Sequence, residues 1–419
     1  MKIDVMVASG PPERPPKFKP DTTPDKTAEP SFQTPDTVAA SDDLKPDQQA
    51  ASSPSANTRP PKRKLKWPPS KRGYIIIAVV VGLLLIGIGT VFALQSRGTP
   101  AVAMRPKLAI KKPKIVLKPT TVPSTLSGLP VDPSFNQRPV TAVMIENSLD
   151  ARPQSGLSAA GVVFEAIAEG GVTRFMALYQ DTTPENVGPV RSARPYYVSW
   201  ANGYDAGYAH VGGSADGLAD IRAWGIHDLD QFANGGSYHR IDTRSAPHNV
   251  YTGIPTLNQL EASKGYTTSN YTGFVRKVSA PSKVPTARSI DFALSGPYYN
   301  PHYDYNAATN TYNRSEAGAA QTDQNTGQQL APNVVVALVV PLGRGALDSS
   351  GAYYSDYTVT GSGAAYVFQD GIVSVGQWNK ASNASSLSLT AADGQPLTLN
   401  PGQTWLTAVI NPSGVSYTP

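Results

Sequence analysis

Cysteine is absent from this chain of 419 residues, which excludes disulfide bonds, thiol catalysis, thiolate zinc sites and a lipid-modified cysteine anchor. The glycine motifs that bind phosphate or dinucleotides are missing as well, so we expect no cofactor. The five histidines have neither H-x-H nor H-E-x-x-H spacing, and we therefore expect no metal site. No motif identifies a catalytic nucleophile.

Charge is scarce and unevenly divided along the chain. Asp, Glu, Lys and Arg make up 16% of the residues. Residues 1–125 hold 20 Lys and Arg against 9 Asp and Glu, whereas residues 126–419 hold 16 against 22. The C-terminal part is therefore net acidic, and a net acidic surface repels a polyphosphate. This balance argues against nucleic acid as a partner.

The first 73 residues are rich in proline and polar residues and have almost no aromatic residues. Such a segment cannot bury enough apolar surface to offset its loss of conformational entropy. We therefore expect residues 1–73 to form a disordered tail.

One uncharged run, residues 74–94 (YIIIAVVVGLLLIGIGTVFAL), is long enough to cross a membrane. At about 1.5 Å per residue, a helix of this length spans the roughly 30 Å hydrocarbon core of a bilayer. A cleaved signal peptide would not carry so long a segment in front of its apolar run. Basic residues are denser before the run than after it, which predicts a single-pass cell membrane protein with a cytoplasmic N-terminus and extracytoplasmic C-terminal domains. Residues 95–125 are expected to form an extended basic stalk, although their lysines reduce the charge contrast.

The remaining sequence predicts an α+β fold in two domains. In residues 126–268, an α+β domain, apolar runs typical of strands alternate with runs that begin at a proline or a helix-capping serine. The predicted strands are 139–145, 172–180 and 205–212, and the predicted helices are 195–202, 214–224 and 254–264. The run 160–168 fits either a strand or a helix. Residues 269–419 have turn dipeptides between alternating runs, which predicts a β-rich domain.

Lysine is missing from residues 120–262, whereas arginine occurs there eight times. A solvated surface would mix the two cations, and arginine alone suits bidentate binding of a carboxylate or phosphate. Arg191 and Arg194 also directly precede a predicted helix start, where an anion is favoured. The alternative is that the arginines pair with the fourteen carboxylates of residues 132–261. The candidate ligand-binding residues are Arg174, Arg191, Arg194, Arg240, Arg244, His248 and Asn249.

The last four of these candidates lie in one polar segment, residues 237–251. Loops this dense in hydrogen-bond donors are more often functional than structural. The alternative is that a single Asn or His caps a neighbouring stretch of chain.

The candidate catalytic residues are Glu165, Glu169, His210 and His248. The two glutamates stand four residues apart, so we expect them to share a face. Paired carboxylates can serve as general acid and base, but an ion pair between one of them and Arg174 is the interpretation we favour. His210 follows a predicted strand, where it is either a base or ligand contact or a structural residue.

Several runs of residues 138–406 stand in a characteristic order. They are RPVTAVMIENSLDARPQSGL (138–157), VVFEAIAEGGVTRFMALYQ (162–180), VGPVRSARPYY (187–197), HVGGS (210–214), RSAPHNVY (244–251), TGSGAAYVFQDGIVSVGQWNKAS (360–382) and NPGQTWL (400–406). The chain resembles the YerB-type bacterial family of domains of unknown function. The resemblance implies a mixed-sheet three-layer sandwich followed by a β-rich domain, outside a bacterial cell. That family commonly uses a lipobox cysteine, in place of which this chain has residues 74–94. The resemblance supplies no activity.

Three classes of function fit the sequence. The first is a membrane-anchored module that binds an anionic cell-wall or lipid-linked ligand through the arginines. The second is a cell-wall hydrolase or phosphate-linked transferase that uses Glu and His side chains. The third is a structural partner in a membrane complex. The first requires that the five arginines meet in one concave site.

Overall fold

The computed structural model describes residues 120–347 and 353–419. The predicted tail, the predicted membrane span at 74–94 and the predicted stalk up to residue 119 lie outside these ranges. No helix within the two described ranges is long and apolar enough to cross a bilayer.

In the described ranges the chain forms 21 strands and three α-helices, so the fold is α+β and rich in sheet. The strands before residue 268 are β1 (Val122–Pro123), β2 (Pro130–Val131), β3 (Thr141–Glu146), β4 (Val162–Glu169), β5 (Val172–Tyr179), β6 (Gly207–Ala209), β7 (His227–Asp228), β8 (His239–Arg240) and β9 (Val250–Tyr251). The later strands are β10 (Ser289–Phe292), β11 (Pro301–Asn306), β12 (Thr311–Glu316), β13 (Ala319–Ala320), β14 (Val334–Val339), β15 (Leu342–Leu347), β16 (Tyr353–Tyr357), β17 (Gly361–Gln369), β18 (Ile372–Lys380), β19 (Ser388–Ala391), β20 (Thr404–Val409) and β21 (Val415–Thr418). The helices are α1 (Pro195–Asn202), α2 (Ala215–Trp224) and α3 (Ile254–Ser263).

One mixed sheet runs through the molecule in the order β19-β18-β17-β14-β20-β4-β5-β3-β6-β7. Strand β20, close to the C-terminus, lies parallel to β14 on one side and parallel to β4 on the other. The two segments that the sequence divides at residue 268 therefore share this sheet. A second sheet, β13-β12-β11-β10-β21, is antiparallel throughout.

The central strands are buried on both faces, and helices cover opposite faces. All six residues of β3 are buried. Because successive side chains of a strand point to opposite sides, Ala142 and Met144 join the apolar core that contains α1 and α2 residues, while Val143 and Ile145 join the core of α3. Most of the run 160–168, which fitted a strand or a helix, belongs to strand β4 (Val162–Glu169), and the residues on both faces of this strand are buried.

The starts of α1 and α2 lie side by side, and local sequence explains both. Pro195 occupies the first turn of α1, where its fixed φ and missing N–H are tolerated. The Ser214 hydroxyl caps α2 by accepting a hydrogen bond from the Gly217 N–H at 3.2 Å. Backbone bonds from Ala193 to Gly212 at 2.9 Å and from Ser214 to Ala193 at 3.3 Å tie the two starts together.

Candidate functional site

A cavity of about 460 Å³ opens where the starts of α1 and α2 meet the turn between β4 and β5. We call it the arginine cavity. Its lining residues are Glu169, Arg174, Arg191, Ser192, Arg194, Gly213, Ser214, Ala215, Ala346, Leu347 and Tyr354. Three of the five predicted arginines therefore meet in one site.

The described lining residues of the arginine cavity carry more positive than negative charge. Glu169 is the one carboxylate among its described lining residues, and it bridges Arg174 through Oε1 and Arg194 through Oε2, the latter at 2.7 Å. The side chains of Arg174 and Arg194 are each only 7% exposed. Burial lowers the pKa of Arg174, and the neighbouring Arg194 guanidinium lowers it further, whereas Glu169 raises it. Two buried cations thus share one carboxylate.

Two arginine nitrogens at this site lack hydrogen-bond partners. Within residues 120–347 and 353–419, the buried Nε atoms of Arg191 and Arg194 have no partner. An unsatisfied buried donor is costly, typically by about 1–3 kcal/mol. A ligand oxygen that accepted from such a donor would recover part of that cost.

Arg191 also belongs to a second group, centred on the carboxylate of Glu146. Oε1 of Glu146 lies 3.1 Å from Arg191 Nη2 and 2.9 Å from His248 Nδ1, and it accepts a hydrogen bond from the Ser148 hydroxyl at 2.8 Å. Oε2 of Glu146 is buried without a partner among the described residues. We call Glu146, Ser148, Arg191 and His248 the Glu146 cluster.

The Glu146 cluster leaves one nitrogen of His248 available for chemistry. Nδ1 faces Glu146, and the opposite ring nitrogen, Nε2, lies 3.9 Å from the exposed carboxylate of Asp150. The His248 side chain is 21% exposed. An imidazole oriented by a carboxylate at one nitrogen can exchange a proton at the other. The Glu146 cluster can therefore support general acid–base chemistry beside the arginine cavity.

The expectation that five arginines share one cavity is wrong for Arg240 and Arg244. The Arg240 guanidinium donates to the Asn249 side chain at 2.6 Å, on the β8–β9 hairpin. The Arg244 guanidinium donates to the carbonyls of Ala151 and Pro153. Each of the two guanidinium groups thus binds oxygens in its own neighbourhood, and neither lines the arginine cavity. Asn249 likewise does not line the arginine cavity.

Glu165 and Glu169 do not share a face, contrary to expectation. A register shift between Ile167 and Glu169 interrupts the alternation of β4. Glu165 is fully buried, where Oε1 pairs with Arg314 at 2.7 Å and Oε2 accepts from Trp405 at 3.2 Å. Glu165 thus lies in the core, and the favoured ion pair with Arg174 is made by Glu169.

His210 is fully buried and is engaged at both ring nitrogens. Nδ1 lies 2.8 Å from the Gly212 carbonyl, and Nε2 lies 3.1 Å from the Asp228 carboxylate. The Gly212 N–H in turn donates to Asp230 at 2.8 Å. These bonds hold the 210–214 loop, which forms one wall of the arginine cavity, so the contacts of His210 are those of a structural residue.

The sequence pattern did not predict Glu146, Ser148 or the buried polar group behind them. Asn147 donates to Glu316 at 3.0 Å, and Arg152 pairs with Glu316 at 3.2 Å. Burial raises the pKa of Glu316 to about 7, against the opposing effect of its arginine neighbours. The available signal was the run of polar residues directly after the apolar strand β3.

The fold and the site define a sheet-rich α+β protein with an arginine-lined cavity, and the chain belongs to a family of unknown function. Residues 126–267 match the family model "Protein of unknown function (DUF3048) N-terminal domain", and residues 290–406 match the corresponding C-terminal domain.

Among individual proteins, this chain is 31% identical over 288 residues to "Putative lipoprotein YerB" of Bacillus subtilis (strain 168), covering 68% of this chain and 85% of that protein. It is also similar to a crystal structure of the YerB protein from Bacillus subtilis, with a TM-score of 0.63 and 29% identity over 71% of this chain and 100% of that chain. The resemblance to the YerB-type family is thus confirmed.

Proposed function

We propose that this protein binds an anionic ligand of the cell envelope, a wall or lipid-linked precursor, in the arginine cavity. The observation that carries the proposal is the convergence of Arg174, Arg191 and Arg194 on one cavity, with a single carboxylate among its described lining residues. Guanidinium groups bind phosphate and carboxylate through paired N–H donors. The buried Nε of Arg194, which has no hydrogen-bond partner among the described residues, adds a donor that a ligand oxygen can satisfy.

The adjoining helix starts support the same ligand. Ser192 and Arg194 precede α1, and Ser214 and Ala215 begin α2 at the cavity wall. Helix N-termini carry partial positive charge and unpaired backbone N–H groups, which favour an anion. Glu169 pairs with Arg174 and Arg194, so a bound anion would compete with it for these guanidinium groups.

We further propose that residues 74–94 cross the cell membrane once, with the N-terminus in the cytoplasm and the described residues outside. Their length and lack of charge support this placement. The related Bacillus subtilis protein is named a lipoprotein, which agrees with a cell-envelope location for this chain. The bilayer would then be a partner through residues 74–94, and the cavity would face the envelope.

Calorimetric titration of the full chain in detergent, with muropeptides and a polyprenyl phosphate as probes, tests the binding function. Replacing Arg191 and Arg194 together by alanine should weaken binding at least about tenfold, because hydrogen bonds to charged groups contribute about 1.5–3 kcal/mol each. Arg222→Ala with Arg240→Ala is the matched control, since it removes the same charge outside the cavity. Absence of binding, or equal loss in both double variants, would exclude the arginine cavity as an anion site.

The hydrogen bond between His248 and Glu146 favours a second function, hydrolysis or transfer at a phosphate-linked wall precursor. His248 would exchange a proton with the reacting group while the arginines hold the anion. Turnover of labelled lipid-linked sugar should disappear in His248→Ala while calorimetric affinity is retained. His302→Ala is the control, because His302 is also held by carboxylates but lies on β11. Turnover that survives His248→Ala rejects this function.

A further inference from the structure

We propose that a second cavity, of about 890 Å³, binds a neutral oligosaccharide. We call it the polar cavity. Its polar lining includes Ser155, Ser158, Asn186, Thr243, Gln324 and Asn325. Its volume lies within the roughly 300–1,000 Å³ typical of small-molecule sites. None of these residues lines the arginine cavity, so the two sites are distinct.

The charges at the polar cavity do not suit an anion. Arg244 lines it, but its two terminal nitrogens donate to the carbonyls of Ala151 and Pro153, and one of them also donates to the Tyr251 hydroxyl at 3.0 Å. Glu185, which carries a negative charge, also lines the cavity. An anionic ligand would therefore meet an engaged arginine and a like charge. A neutral ligand avoids both costs.

The walls of the polar cavity are fixed before a ligand arrives. The fully buried carboxylate of Asp323 accepts hydrogen bonds from the backbone N–H groups of Gly156 at 3.2 Å, Ser158 at 2.7 Å and Asn325 at 2.8 Å. The Asn325 amide donates to the Asn186 carbonyl at 2.8 Å. These bonds lock three loops together. A preformed cavity does not incur the entropic cost of ordering its loops upon binding.

The lining chemistry matches a sugar. Side-chain amides and hydroxyls both donate and accept hydrogen bonds, as sugar hydroxyl and N-acetyl groups do. Pro184 and Ile241 add a small apolar surface, which suits the C–H face of a sugar ring. A neutral chain of N-acetylglucosamine units combines all these groups.

Titration of the full chain in detergent with chitotetraose, a neutral chain of four N-acetylglucosamine units, tests the proposal. Ser158→Trp should lower affinity at least tenfold by filling the cavity, since this side chain is exposed and only its backbone binds Asp323. Ser263→Trp, on the exposed end of α3, is the matched control. Gln324→Ala removes one lining amide without crowding, keeps the hydrogen bond from Asn325 to Asn186, and should lower affinity severalfold.

The outcomes separate this site from the arginine cavity. Arg191→Ala with Arg194→Ala should leave chitotetraose affinity unchanged, and Ser158→Trp should leave anion affinity unchanged. Absence of chitotetraose binding by the unmodified chain overturns the proposal. An equal loss of chitotetraose affinity in Ser158→Trp and Ser263→Trp also overturns it. A loss of chitotetraose affinity in the double arginine variant overturns it as well, because the sugar would then bind in the arginine cavity. If only anion binding fails, the proposal for the polar cavity is unaffected.

Discussion

Glu261, on α3, makes stability depend on pH in a way that a single substitution removes. Its side chain is fully buried against β3 and β6, and its described partners include the Thr141 hydroxyl, 3.1 Å from each carboxyl oxygen. Burial raises the pKa of Glu261 from 4.5 to about 8, and the Thr141 hydrogen bond only partly opposes this. The folded state therefore prefers the protonated carboxyl.

The sign and size of the effect follow from linkage. Because the folded pKa is raised above the unfolded value, the stability contributed by Glu261 is present below pH 4.5 and is lost as pH rises through 8. One pKa unit corresponds to about 1.36 kcal/mol. The raised pKa of Glu261 therefore lowers the free energy of unfolding by less than about 1 kcal/mol at pH 5, by about 3 kcal/mol at pH 7 and by about 5 kcal/mol above pH 9. Glu261→Gln removes the ionisation while keeping the shape.

Urea unfolding of the wild type and Glu261→Gln, followed by tryptophan fluorescence at several pH values, measures this difference. The free energy of unfolding of the variant should exceed that of the wild type by an amount that grows from pH 5 to pH 9, as the linkage relation gives. A difference in the free energy of unfolding that stays constant over this range would refute the reasoning. The carboxylate would then be compensated by groups other than the Thr141 hydroxyl.

Two further predictions concern stability. Arg314→Met leaves the fully buried Glu165 without its paired cation and should lower the free energy of unfolding by about 3–5 kcal/mol, measured by urea unfolding; a change within error would contradict the buried ion pair. Gly402→Ala should lower the melting temperature more than Gly394→Ala in calorimetry, because both glycines have positive φ but only at Gly402 would a Cβ lie 1.9 Å from Asn333. Equal shifts would refute the predicted clash.

Local features of the fold could be predicted because local residues determine them. Pro195 and Ser214 fix the starts of α1 and α2, and the helices begin there as expected. The position of β20 between β14 and β4 could not be predicted. Trp405 of β20 contacts Glu165 across 240 residues of sequence, and a run of apolar residues does not specify its partner strand.

The site could be predicted only in part, for a similar reason. The absence of lysine pointed to the arginines, and three of them meet. Which cavity a particular guanidinium lines depends on the tertiary fold, and Arg244 lies at the polar cavity, where it donates to two carbonyls. Glu146 could not be predicted as a site residue, because it is the last residue of an apolar strand and a single carboxylate there has no sequence periodicity.

Glu146 separates the two proposed functions, because it contacts both Arg191 and His248. Glu146→Gln keeps an oxygen at the Oε1 position, which all the described donors use, and places an amide nitrogen at the Oε2 position, which has no described partner. The substitution removes a charge that competes for Arg191, so anion affinity should rise severalfold, as it should in Glu169→Gln. Any turnover should fall, since a neutral amide stabilises a protonated His248 less than a carboxylate does. If affinity and turnover instead fall together in Glu146→Gln, the carboxylate serves mainly to hold Arg191 in place, and the His248 function loses its support.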